Sequence, residues 1–492
     1  MPNLLDIYHE VDALKAALGL MNWDRQVLMP AGGGTARGAH VAILAQMAHE
    51  RFTSDEMGDA IADAERDALP GSIEAALARC VRRDYDLETK LPTELVARRA
   101  KLSSEAYDVW KVARANSDFA AMAPYYEQLF DLNREKAGLL GYQAHIYDPL
   151  IDTFEESATF ATAQQMFATI KKPIQELVGR IAAEGRTIDD QALIGNWDRS
   201  KLLAFMRETT AHIGFSFERG RLDEAPNAFC GGSTSQDVRM TTRASNHLKG
   251  IVSSSLHEMG HGLYDQGSPT EFDRTPLAGG TSLAIHESQS RLWENIIGRS
   301  LPFWSYFLPR LQAAFPDLSE IPLADFYRMI NKVEPTAIRV GADELTYNLH
   351  ILIRFEMEVD ILNGTLQIKD MPEAWNSKYQ EYLGFTPKND GEGVLQDVHW
   401  SRGMVGYFPT YAMGNLIGGQ IWKRLTSEIE DYAGQFEDGN FSSVLGWLQQ
   451  QIYQKARTLP PKDLLHEVVG EDMKSDDWLS YATAKYTDIY FE

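Results

Sequence analysis

Apolar residues recur at three- and four-residue steps through much of the chain, the spacing that lines one face of an α-helix. The period predicts helices near 35–65, 72–90, 92–116, 122–141, 161–184 and 199–213. In the last of these, Phe205, Met206 and Ile213 carry the apolar side. Pro30-Ala-Gly-Gly-Gly34, Pro70-Gly71, Gly231-Gly232 and Gly279-Gly280 fall where helices should stop. Residues 237–243 break the helical rule. Val238, Met240 and Thr242 alternate there with Asp237, Arg239, Thr241 and Arg243, which is a strand period. This strand precedes a helix expected to begin near Leu248. The reading is a mostly α chain with a small amount of sheet.

No low-complexity tract and no internal repeat is visible. No Pro/Ser-rich linker divides the chain, so residues 1–492 read as one continuous catalytic domain, with two lobes around a groove as an option. The alternative on length is two independent domains split near 190–195.

Composition changes the picture mainly by exclusion. Hydrophobic residues make up 44% and charged residues 24%, ordinary for a globular protein. Seventy acidic residues against 47 basic ones give a net charge of −23, a surface that repels phosphate backbones. Nucleic acid is therefore not an expected partner. No run of about 18 apolar residues is present, so no membrane span is expected. Asp6, Glu10, Asp12 and Lys15 interrupt any apolar run of a secretory signal at the N-terminus. Two cysteines, Cys80 and Cys230, cannot form a disulfide framework and suit a reducing compartment. A cytoplasmic location is the expectation.

The chemistry is concentrated at His257-Glu258-Met259-Gly260-His261. On a helix, positions i and i+4 lie one turn apart on one face, so two imidazoles can reach one ion. Glu258 follows the first of them and can take a proton from water activated by that ion. Zinc suits such nitrogen and carboxylate ligands, one ion per subunit, and cobalt or manganese can substitute. Gly260 weakens a helix interior and so calls for a packing or functional reason. A third ligand is expected from a second helix, and Glu287 in residues 282–291 is the candidate. Twenty-five residues intervene after His261, with Pro269, Pro276 and Gly279-Gly280 breaking the path. Two histidines and one glutamate leave one position open for catalysis. His286 faces another side of that helix and reads as a core residue or a support for the ligands. Asp265, one turn past His261, is either a hydrogen-bond partner of that imidazole or a solvated charge.

Further motifs carry a resemblance. Asp237-Val-Arg-Met-Thr241 matches D-x-R-x-T, His286-Glu-Ser matches H-E-S, and Ile338-Arg-Val-Gly-Ala-Asp343 matches I-R-x-x-A-D. Gly393-Val-Leu-Gln-Asp-Val-His-Trp400 matches G-x-x-Q-D-x-H-W, and the Trp23-Asp24 region before Met29-Pro30 looks like the same family's N-terminus. In this order and over nearly the whole length, the chain resembles the carboxypeptidase Taq family of metallocarboxypeptidases. Asn227-Ala228-Phe229 departs from the family's His-Pro-Phe, while the metal residues are intact.

The resemblance implies a helical molecule of the HExxH gluzincin type, with a deep substrate groove and a small sheet at its edge. It also implies a homodimer and broad release of single residues from peptides with a free C-terminus. A carboxypeptidase must stabilise an oxyanion and hold a terminal carboxylate. By analogy with a related zinc-peptidase clan, His399 and Tyr407 are the oxyanion donors, with Tyr411 next in line or as a substrate contact. Arginine's planar fork suits the carboxylate. Arg339 leads, with Arg239 and Arg402 as alternatives, and pairing of Arg339 with Asp343 is the structural option. The strand 237–243 is expected to offer an edge to an extended peptide. The rival activities are a dipeptidyl carboxypeptidase or oligopeptidase and, in another class, a non-catalytic metal-binding protein.

Overall fold

The structure, a computed structural model, describes residues 2–243, 245 and 247–492. Helices α1 (Pro2–Val27), α2 (Gly34–Phe52), α3 (Asp55–Asp67), α4 (Ile73–Thr89), α5 (Thr93–Asn116) and α6 (Phe119–Leu140) come first. The short α7 (Asp148–Asp152), then α8 (Phe160–Glu184) and α9 (Arg199–Ile213) lead to strands β1 (Gly220–Glu224), β2 (Cys230–Thr234) and β3 (Asp237–Thr242). Helices α10 (Leu248–Gly267) and α11 (Leu283–Arg291) follow, and α11 runs straight into a π-helical turn at Leu292–Ile297. Helices α12 (Leu301–Ala314), α13 (Leu323–Ile330), α14 (Tyr347–Leu362), α15 (Met371–Leu383), α16 (Pro409–Glu428), α17 (Tyr432–Glu437), α18 (Ser442–Gln451), α19 (Pro461–Val469) and α20 (Asp476–Phe491) come after them. The protein is thus mostly helical with one three-stranded sheet. Among the described residues no helix is long and apolar enough to cross a membrane.

Side-chain caps set several helix starts. Ser54 accepts from Met57 N–H, Asp118 from Ala121 N–H and Asp198 from Lys201 N–H. Thr159 and Thr162 cap one another at the start of α8. The Ser54 cap also explains a difference from the apolar period. The helix expected over 35–65 is two helices, broken at Thr53-Ser54.

The chain passes through two compact units, each built from three segments. The first comprises residues 1–88, 188–330 and 417–472. Leu4, Ile7 and Val11 of α1 pack there with Phe52, Met57, Ile61 and Val81 of α2, α3 and α4. The same unit holds the sheet, in the order β1-β3-β2. β3 pairs in parallel with β1, opposing Leu222 to Met240, and antiparallel with β2, opposing Cys230 to Met240. β3 is therefore the central strand with both edges taken, and it has no edge to offer a peptide. Its buried Val238 and Met240 follow the expected alternation, but Thr241 is buried as well.

The second unit comprises residues 89–187, 331–416 and 473–492. Its centre is α14, buried on almost every side. His350, Arg354 and Glu358 recur there at four-residue steps, a polar stripe inside the core. Such groups are tolerated only when hydrogen-bonded, and Tyr379, Asp397 and Tyr147 are among the partners.

Candidate metal centre

Two capped helices of the first unit hold the candidate metal ligands. The ring of His247 accepts from Lys249 N–H at the start of α10, and Ser282 accepts from Ile285 N–H at the start of α11. The helices cross where α10 has no side chain. A Cβ on Gly260 would stand 2.6 Å from both the Gln289 carbonyl oxygen and Ser290 Cα. Gly260 thus permits a backbone-to-backbone approach. That approach brings Glu287 to the two histidines one turn apart on α10.

The Oε2 atom of Glu287 lies 3.5 Å from His257 Nε2 and 3.6 Å from His261 Nε2. Zinc bonds of about 2.0–2.1 Å give a tetrahedron with edges of roughly 3.3–3.4 Å, so Glu287 Oε2 stands from each imidazole nitrogen at about the separation that two ligands of one small ion need. Among the described residues this is the one cluster of three histidine, cysteine or carboxylate side chains with such convergent atoms. The donor set, two imidazole nitrogens and a carboxylate oxygen, fits a divalent metal of the zinc type.

The atoms behind the ligands are also committed. His257 Nδ1 lies 2.9 Å from Glu294 Oε2, while Arg291 and Arg299 donate to Glu294 at 3.2 and 2.8 Å. Arg291 Nε donates to Glu287 Oε1 at 2.7 Å, and Ser290 Oγ to Glu287 Oε2 at 2.9 Å. Burial pushes the Glu294 carboxyl up, but Arg291, His257 and Arg299 outweigh it and hold the group well below the usual carboxylate range. Burial likewise lowers His257, yet the carboxylates of Glu287, Glu294 and Glu258 raise it overall. His261 is held well below its ordinary value by burial and by His286 and His257. Glu258 is buried beside them, its pKa pushed up to about 7 by burial first and by Glu287 and Glu294.

His261 Nδ1 lies 2.7 Å from His286 Nδ1, and His286 Nε2 lies 3.0 Å from Asp265 Oδ1. Asp265 therefore reaches His286 and not the ring of His261, because the imidazole of His286 stands between them. His286 is thus hydrogen-bonded to one of the candidate ligands, His261. Glu294, Arg291 and Arg299 carry no motif that marks them in the sequence. The only signal was spacing, since Arg291 and Glu294 follow Glu287 at four and seven residues, on one helical face.

Arg239 in β3 is paired with its own strand. Its Nε and Nη2 atoms donate to the two carboxylate oxygens of Asp237 at 2.8 and 3.1 Å. Its guanidinium also stacks 4.5 Å from the Trp23 ring centre.

The remaining candidates belong to the second unit. Arg339 is buried, and its Nε and Nη2 atoms both donate to Asp397 Oδ1, at 2.9 and 2.8 Å. Its Nη1 donates to the Tyr347 hydroxyl at 3.0 Å. The expected alternative partner, Asp343, instead accepts from Leu345 and Thr346 N–H. Arg354 donates to the other oxygen of Asp397 at 2.7 Å. His399 Nε2 lies 3.3 Å from the Tyr411 hydroxyl. Burial, then Arg339 and Arg354, push the pKa of His399 down to about 3, so its imidazole is neutral. The ring of Tyr407 packs against His399 and edge-on to Phe154. The guanidinium of Arg402 lies 4.6 Å from the Tyr107 ring centre.

The sequence profile of the carboxypeptidase Taq (M32) metallopeptidase family matches residues 3–486. Thermostable carboxypeptidase 1 of Thermus thermophilus is 36% identical, covering 99% of this chain and 98% of its own. Carboxypeptidase 1 of Bacillus subtilis is 34% identical over 99% and 97%. The crystal structure of the M32 carboxypeptidase of Deinococcus radiodurans superposes with a TM-score of 0.95 at 32% identity, covering 99% of this chain and 98% of that one. The chain belongs to the carboxypeptidase Taq (M32) family of metallopeptidases, hydrolases that act on peptide bonds.

Proposed function

We propose that this protein is a zinc-dependent carboxypeptidase that removes single residues from the C-termini of peptides with broad specificity. The observation that carries the reading is the convergence of His257 Nε2, His261 Nε2 and Glu287 Oε2, the carboxylate oxygen 3.5 and 3.6 Å from the two nitrogens, with buried Glu258 next to His257 in the chain. A divalent ion held there supplies Lewis acidity toward water and the scissile carbonyl. Glu258 takes the proton of the attacking water and delivers it to the leaving amine. With the Nδ1 atoms of His257 and His261 engaged by Glu294 and His286, each ring can keep its proton on Nδ1 and leave Nε2 for the ion.

In the same proposal His399 and Tyr407 donate to the developing oxyanion. A neutral imidazole can present one N–H without adding a charge, which supports that role for His399. Arg339 holds the terminal carboxylate. Its five N–H groups exceed the three contacts to Asp397 and Tyr347, so two are left for a ligand. Arg239 and Tyr411 are secondary substrate contacts. The gluzincin-type groove, one zinc per subunit, a homodimer and a cytoplasmic location complete the proposal, on the family resemblance.

The test is mass spectrometry of the products from one defined peptide and its C-terminally amidated twin, each incubated with zinc-loaded protein. Stepwise loss of single C-terminal residues, blocked by the amide, is expected. Release of dipeptides, internal cuts or equal cleavage of both peptides would overturn the exopeptidase reading.

A further inference from the structure

The two histidines of the metal centre are supported differently. His257 Nδ1 meets a carboxylate directly, at Glu294. His261 Nδ1 meets a second imidazole, and the carboxylate of Asp265 comes only after it. Proton bookkeeping fixes all three groups once His261 uses Nε2 toward the metal. Its Nδ1 then carries the proton and donates to His286 Nδ1. That nitrogen must be the bare one, so His286 carries its own proton on Nε2 and donates to Asp265 Oδ1.

The ring of His286 is also confined. Its centroid lies 4.8 Å from that of His261 and 4.9 Å from that of Tyr264. Gly280 closes another side, since a Cβ there would stand 2.5 Å from His286 Cδ2. The connection runs from α10 to α11 and back, because His261 and Asp265 lie on α10 and His286 on α11, next to Glu287.

We infer that His286 and Asp265 form a relay that sets the tautomer and ring orientation of His261, making both of them positioning residues for metal binding. The inference rests on the proposed ligand role of His261. The carboxylate of Asp265 draws on the Nε2–H of His286 and makes its Nδ1 a stronger acceptor. The stronger acceptor in turn makes His261 Nε2 a better donor to the ion. The same contacts hold α11 in rotation about its axis, and Glu287 is the next residue along.

The experiment measures the zinc dissociation constant of the full chain by competition with a chromophoric chelator. His286→Ala should weaken zinc binding about 10- to 100-fold. His286→Asn places an amide oxygen near the position of Nδ1 and should recover most of that affinity. A residue that merely fills space would show no such rescue. Asp265→Ala should weaken binding in the native background and add nothing in the His286→Asn background, because the relay is already cut there. Gly280→Ala, which leaves every polar group in place but crowds the ring, should weaken binding as well. Loss of affinity in His261→Ala with none in His286→Ala would overturn the relay and leave the metal centre standing. Unchanged affinity in His261→Ala would overturn the metal centre and the relay with it. Additive losses in His286→Asn/Asp265→Ala would also overturn the relay.

Discussion

At the scale of single residues, the proposed metal centre separates holding an ion from using it. Glu258 makes no part of the convergent trio, yet it is buried against it. Glu258→Gln keeps size and polarity and removes the ability to accept a proton. Zinc content should be unchanged, while kcat/KM falls by about 100- to 10,000-fold, the usual worth of a positioned base. Metal analysis and peptide turnover on one preparation decide this, and substantial residual turnover would remove Glu258 from the base role. Glu294 works the other way. It touches no substrate in the proposed reaction, but it receives His257, Arg291 and Arg299. Glu294→Ala strips a buried acceptor from two arginines, a loss of about 3–5 kcal/mol for a broken buried pair. The variant should melt at a lower temperature and bind zinc more weakly. A variant that bound zinc normally would show that the ring of His257 needs no carboxylate behind it.

At the scale of elements, the crossing of α10 and α11 decides whether the ligands meet. Gly260 looked like a weakness in a helix, and the structure supplies the reason, which is the backbone of Gln289-Ser290 lying against it. Gly260→Ala has better intrinsic helix propensity by about 1 kcal/mol. It should nonetheless destabilise the fold and lower zinc affinity, because the added methyl must push away the helix that carries Glu287. A Gly260→Ala protein with higher melting temperature and native zinc affinity would mean that the helices can separate at no cost to the site. This crossing also marks what was legible in the chain. The convergence of His257, His261 and Glu287 was readable because the coordination proposed for them demands particular side chains at helical spacing. The arginine–carboxylate cluster behind them was not, since a buried ion pair looks in sequence like any charged helix face. The sheet divides the same way. β3 alternates and was visible. β2 reads Cys-Gly-Gly-Ser-Thr, a turn composition, and is a strand only because β3 pairs with it. Its glycine at 232 is there for close approach, as a Cβ would collide with the Asp237 carbonyl. β1 has a single buried side chain, Leu222, too little to show a period.

At the scale of the whole molecule, both units bury ionisable side chains, and the second unit offers a test in which two forces oppose each other. Glu358 lies fully inside that unit, on α14. Its carboxylate accepts from the Tyr147 hydroxyl at 2.7 Å, Trp400 Nε1 at 2.8 Å and Gly406 N–H at 3.0 Å. Trp400 and Gly406 bracket the segment between His399 and Tyr407, so one carboxylate fixes both ends of the segment that joins the proposed oxyanion donors. Gly406 has φ of +95°, and a Cβ there would press into the backbone of Leu150 and Ile151, which makes this attachment hard to replace. Burial raises the Glu358 carboxyl from an ordinary 4.5 to about 7, and the three donors only partly oppose it. The folded state therefore keeps a proton that the unfolded chain has released between pH 4.5 and 7. The stabilisation is fully present below about pH 4.5 and is lost as pH rises through 7, a change of about 3 kcal/mol at most. Glu358→Gln cannot titrate, so the melting temperature of the native protein relative to this variant should be highest near pH 5 and should fall by pH 8. If the difference instead grows with pH, the three hydrogen bonds outweigh burial, and Glu358 is an anion that the unit was built to hold.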